Sequence, residues 1–113
     1  MSQSIPEKDW KYLRKLQPEL LDRLCSRINQ NGLAHLQSDK TEHEKFLAMY
    51  KHMDEADRVV AECFNNWARS SVWMKILLLI KYELLTDDDV KGLSKESQEQ
   101  YKKSKELWKD LES

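Results

Sequence analysis

Any chemistry in this chain would have to come from three histidines, two cysteines, a run of three aspartates and a pair of serines. The histidines are the first metal candidates. His35, His43 and His52 lie between Leu33 and Met53, with many acidic residues nearby. Carboxylate-bridged metal sites in helical bundles use Glu-x-x-His, which sets two ligands one turn apart. None of the three histidines has a glutamate three residues before it. His43 and His52 are nine residues apart, about 13 Å along a helix, too far to share one ion. His52 and Glu55 could pair locally. Solvated or capping histidines are the expected roles, with no metal and no cofactor. Cys25 and Cys63 have no Cys-x-x-Cys spacing that would supply zinc ligands. Each stands in a helical apolar row, beside Leu24 and Phe64, where free cysteine packs as a small hydrophobe. Buried free thiols are expected, with a disulfide as the lesser alternative.

Nucleophilic catalysis finds little support. Ser70-Ser71 and Cys63 are the conspicuous nucleophile types near apolar sequence, yet there is no Gly-x-Ser-x-Gly elbow and no glycine-rich phosphate loop. Asp87-Asp88-Asp89 after Thr86 reads as a helix start, because acids in a first turn are stabilised there and normally solvated. With two glycines in the chain, few places let backbone approach a substrate closely. The expectation is a protein that is not an enzyme.

A nucleic-acid reading can be drawn over residues 80–107, as helix, short helix, turn and second helix, in the manner of a helix-turn-helix. Its second helix carries Lys95, Lys102, Lys103, Lys105 and Lys109, but also Glu96, Glu99, Glu106 and Asp110, and no arginine for bidentate base contact. A charge-laced, solvated helix accounts for it better. The chain has 19 basic and 20 acidic residues for a net charge of −1, balanced in both halves, which gives no basic field for nucleic acid or anionic membrane.

The elements that must position these residues are helical. Two glycines and two prolines in 113 residues are far too few for the turns of a β-rich domain. Ser4 with Glu7 forms a capping-box pattern, and Pro6 suits a first turn, so a helix is expected over 6–16 with Trp10, Leu13 and Leu16 on its apolar face. Pro18 disfavours helical geometry at Gln17 and starts a second helix over 18–31, carrying Leu20, Leu21, Leu24 and Ile28 and stopped by Asn31-Gly32. One helix kinked at Pro18 is the alternative. Asp39 with Glu42 suggests the cap of a long helix over 40–67. There Phe46, Met53, Val60 and Trp67 recur every seven residues, Met49, Ala56 and Cys63 interleave, and Tyr50 and Phe64 widen the stripe.

The stretch from Val72 to Leu85 is apolar around nearly its whole circumference, so it needs neighbours on several sides. Lys75, Lys81 and Glu83 and its shortness rule out a bilayer span. The register of apolar residues changes near Arg69-Ser70-Ser71, where a break is expected. Ser94 caps a last helix over 95–111, with Tyr101, Trp108 and Leu111 as a thin apolar edge that would either dock or project.

Residues 1–113 are thus read as a single all-α domain, a compact bundle of about five helices with one long central helix and one all-round apolar helix. The heptad seam and the apolar helix make more dry surface than the short amphipathic helices cover, which predicts a homo-oligomer, a dimer first. The expected role is a small helical protein–protein interaction module, an adaptor, regulator or subunit. The candidate interface is Phe46, Met53, Val60, Trp67, Trp73, Ile76, Ile80 and Trp108. A nucleic-acid-binding regulator using residues 80–107 is the alternative. The N-terminus lacks an apolar signal region, which together with the free thiols points to the cytoplasm.

Overall fold

The computed structural model describes residues 4–112, and among them there are four α-helices and no strand. Helix α1 spans Glu7–Leu36, α2 Glu42–Phe64, α3 Val72–Lys81 and α4 Lys95–Glu112, with short 3₁₀ turns at Arg69–Ser71 and Asp89–Gly92. The all-α expectation holds. The expected count of five falls to four because the two N-terminal helices are one.

Helix α1 runs through Pro18 and past Gly32 for 30 residues. Pro18 is exposed, while Leu13, Leu20 and Leu24 on either side of it are buried along a single row. Burial of that row on both sides outweighs the roughly 3 kcal/mol that an interior proline costs. Gly32 is not a stop. It is buried where α2 crosses, and a Cβ built on it would stand 3.3 Å from the Met49 methyl and 3.7 Å from the His52 ring. The Ser4–Glu7 box is not formed either; Pro6 precedes the helix without a side-chain cap.

The turn into α2 is capped by Thr41 and Glu44, two residues later than the expected Asp39 and Glu42. Thr41 Oγ1 accepts from the Glu44 amide at 3.2 Å, and the Glu44 carboxylate accepts from the Thr41 amide at 3.0 Å. The Thr41 amide and the Thr41 hydroxyl, both donating to it, hold the Glu44 carboxyl below its ordinary value. Helix α2 ends at Phe64 rather than near Trp67. Asn66 takes φ 60°, a left-handed conformation asparagine tolerates, and the chain turns there. Trp67 then folds back. Its Nε1–H donates to the Cys63 carbonyl at 2.8 Å, and its ring stacks on Phe64 with centroids 6.3 Å apart.

Helix α3 is only partly the all-round apolar helix expected. Val72, Ile76, Leu79 and Ile80 are buried, Trp73, Leu77 and Leu78 are half-buried, and Met74 is exposed. It stops at Lys81, short of Leu85, because Glu83 takes φ 54° and closes a Schellman motif. The Leu84 amide bonds the Leu79 carbonyl at 2.8 Å, and the Glu83 amide bonds the Ile80 carbonyl at 3.0 Å. Leu84 and Leu79 are both buried in the apolar core, as the residues at these two positions of the motif commonly are. Arginines from α1 satisfy the carbonyls left over: Arg27 donates to Tyr82 and Glu83, and Arg23 to Leu84 at 2.9 Å.

Two polar ties fix the rest. Thr86 and Asp89 cap one another, and the Asp89 carboxylate also receives two bonds from Arg23 at 2.5 and 2.9 Å. Burial pushes the Asp89 carboxyl up, but the Arg23 and Thr86 bonds outweigh it and hold the group below its ordinary value. Ser94 caps α4 as expected, accepting from the Ser97 amide at 3.3 Å. Asp9 of α1, fully buried, accepts from the Ser94 amide at 2.8 Å, the Ser94 hydroxyl at 2.6 Å and the Ser97 hydroxyl at 2.5 Å. The tie places a carboxylate against the first turn of α4, where the helix dipole favours it. Helix α4 therefore docks, with Ser97 and Tyr101 buried, while Leu107 and Leu111 in its last turns stay exposed.

Candidate interaction surface at the hairpin tip

The buried side chains are unevenly spread along the hairpin of α1 and α2. The apolar core draws on Ile5 to Leu24, on Cys63, and on residues from Val72 to Tyr101. Between Leu24 and Cys63, Gly32 alone is buried among the described residues. Helices α3 and α4 pack on the base of the hairpin, and its other end is a bare pair of helices in a molecule 53 Å long and 25 Å thick.

At that tip six large apolar side chains are exposed. Phe46, Leu47, Tyr50 and Met53 of α2 and Leu33 and Leu36 of α1 are between 41 and 71% exposed. Phe46, Tyr50 and Met53 stand at i, i+4 and i+7, one continuous row along the helix. The interleaved row behaves differently. Met49, Ala56 and Cys63 turn toward α1 and are half-buried or buried. Six such side chains leave about 600 Å² of apolar surface uncovered, the upper end of what monomers carry. The end of α1 faces the start of α2 across this seam, since Gly32 meets Met49 and His35 meets His52, with ring centroids 5.2 Å apart.

The residues expected at an interface thus separate into two groups. Phe46 and Met53 lie on the exposed tip. Val60 and Trp67 are half-buried against the core, and Trp67 also meets Trp10 with centroids 6.5 Å apart. Ile76 and Ile80 are interior. Trp73 lines a groove of about 830 Å³ with Ile5, Ser71, Met74 and Gln100. Trp108 is half-buried beneath the Lys81 ammonium, 5.9 Å from the ring centre, and donates to Glu112 at 2.7 Å. Leu33, Leu36 and Leu47 complete the tip. The side-by-side pair Phe46-Leu47 is the signal that α2 carries more apolar width there than one neighbouring helix can cover.

The other chemically suggestive residues are spoken for. Cys63 is fully buried, and burial pushes its thiol up to about 11, which removes the thiolate needed for attack. Cys25 is a free, half-buried thiol, so the two cysteines form no disulfide. A groove of about 760 Å³ between α3 and α4 holds Lys91, Lys102, Lys105 and Lys109, but Lys105 is held by Asp87 at 2.7 Å and Lys102 pairs with Glu99 at 3.9 Å. Among the described residues, no three histidine, cysteine or acidic side chains converge on one point, and no helix is long and apolar enough to cross a membrane. Set against known family models, curated proteins and solved structures, the chain matches none.

Proposed function

We propose that this chain is a non-enzymatic helical interaction module that pairs with a second copy of itself through the hairpin tip. The reading is carried by the row Phe46, Tyr50 and Met53, with Leu33, Leu36 and Leu47 beside it, uncovered by any other part of the described chain. Two hairpins laid face to face would form a four-helix arrangement, in which each row covers its own symmetry mate. About 600 Å² from each copy gives an interface of about 1,200 Å², the lower limit for a stable specific pair. Lys45 with Glu42 and Arg58 with Asp54 are neutral pairs within α2, so these charges do not oppose the approach of a second copy. A dimer of this kind would leave the grooves beside α4 free, which fits an adaptor, a regulator or a subunit.

Sedimentation equilibrium across micromolar concentrations tests the reading, with the double variant Phe46→Glu/Tyr50→Glu as the comparison. The wild type is expected to sediment as a dimer and the variant as a helical monomer. A wild type that stays monomeric throughout, or a variant that dimerises as well as the wild type, defeats it.

A further inference from the structure

We propose that His35 and His52 form a two-imidazole clamp for a late first-row transition-metal ion of the Zn²⁺ or Cu²⁺ type. Spacing along one helix separates His43 from His52; the turn of the hairpin instead carries His35 across to His52. Their ring centroids are 5.2 Å apart. With metal–nitrogen bonds of about 2.0–2.1 Å and a tetrahedral angle between them, two imidazoles on one ion place their centroids about 5 Å apart. The pair already stands at that separation.

The protonation of His52 is set by its partner. Its Nε2 lies 2.8 Å from the Ile28 carbonyl. A carbonyl oxygen only accepts, so Nε2 carries the proton, and in the neutral ring Nδ1 holds the free lone pair. A metal-binding histidine commonly donates its other ring N–H to a backbone carbonyl in this way, which fixes the ring and raises its basicity. The Cδ2 atom of His52, next to the bonded Nε2, packs against Gly32 and Met49, so this edge of the ring is closed by protein and Nδ1 lies on the opposite side. Imidazole ligands suit copper and zinc rather than calcium and magnesium. With two imidazoles from the chain, the remaining positions on the ion fall to water, which makes an exchangeable site rather than a closed structural one. The clamp is independent of the apolar row, since His52 lies about 120° around α2 from Phe46.

Titration of ZnCl₂ into the full chain by calorimetry, followed by electron paramagnetic resonance of the CuCl₂ adduct, tests the clamp. Loss of an outer-shell partner alone costs about 10–100-fold in metal affinity, so loss of a ligand should cost at least tenfold. The expected result is one ion per chain, at least tenfold weaker binding in His35→Gln and in His52→Gln, unchanged binding in His43→Gln, and hyperfine splitting from two nitrogens. His35→Gln leaves the His52–Ile28 bond in place, and circular dichroism confirms that it is folded. No binding of either ion by the wild type, a His43→Gln loss as large as the other two, or a one-nitrogen spectrum overturns the clamp.

Discussion

Replacing Asp9 by alanine would strike the one charged side chain that is completely buried among the described residues. Three donors converge on its carboxylate at 2.5–2.8 Å, two of them from Ser94 and one from Ser97. Hydrogen bonds to a charged acceptor are worth about 1.5–3 kcal/mol each. They do not simply add, because the two serine hydroxyls can rotate to other acceptors, and the Ser94 hydroxyl keeps its bond from the Ser97 amide. The Ser94 amide has no such freedom, and the space left by the carboxylate is sealed. A loss of about 3–5 kcal/mol follows, the range for removing one member of a buried polar network. In a domain of this size that lowers the melting temperature by about 12–20 °C.

The tie also has a pH signature. Burial pushes the Asp9 carboxyl up, but the Ser94 and Ser97 bonds outweigh it and leave the group below its ordinary value. A carboxyl depressed in the folded state contributes stability that is present above its unfolded value, about pH 4, and lost as pH falls through the folded value. Urea unfolding at pH 7 and at pH 3, for wild type and Asp9→Asn, reads this directly. The wild type is expected to lose more stability between the two pH values than the variant does. A cost below about 1 kcal/mol for Asp9→Ala, or identical pH slopes for wild type and Asp9→Asn, would refute the argument that this carboxylate fastens α4 to α1.

Two further outcomes follow from single side chains. Glu83 sits at φ 54° with its side chain in solvent, so Glu83→Gly removes a left-handed strain of about 1–2 kcal/mol while making the unfolded chain more flexible; a net gain of about 0.5–1 kcal/mol is expected in urea unfolding. Cys63 should resist a thiol reagent at pH 8 in the folded protein and react on unfolding, because burial removes access and holds the thiol near 11, whereas half-buried Cys25 reacts first; mass spectrometry of the labelled peptides identifies which cysteine is modified.

Local capping chemistry was legible in part: the Ser4–Glu7 and Asp39–Glu42 patterns do not cap their helices, but two others do. Thr86 and Ser94 act where the sequence suggests, and Arg69–Ser71 forms the break that the change of apolar register requires. Pro18 and Gly32 mislead for one shared reason. Both disfavour helix locally, but the residues around them are buried against other elements, and tertiary packing decides the outcome. Asp9 was legible in principle, since an acid in line with Leu13, Leu20 and Leu24 is an acid facing the core. Its partners could not be read, because they lie 85 and 88 residues away. The same holds for His35 and His52, which meet only once the register of the hairpin is known. The heptad seam was read correctly as apolar, yet a periodic pattern does not say which of two interleaved rows faces the chain's own partner helix. Here Met49, Ala56 and Cys63 do, and Phe46 and Met53 do not.

That division has an energetic consequence. Phe46, Met53 and Val60 share one row of α2, but Val60, like Trp67 beyond the end of the helix, packs against the core, and Phe46 and Met53 lie beyond that cover. The base of the molecule holds the apolar core, the Schellman cap with its two arginines, and the Asp9 tie. The tip holds one helix–helix seam, closed at Gly32 and by the His52–Ile28 bond. Two helices packed along one seam bury little, and most helical stability in proteins comes from packing of an apolar face. The tip helices therefore persist as continuations of segments anchored in the base, and their own outer face contributes nothing until it is covered. In the proposed dimer, covering it would stabilise the tip and join two molecules through the same side chains, so that association and local order at this end would be one process.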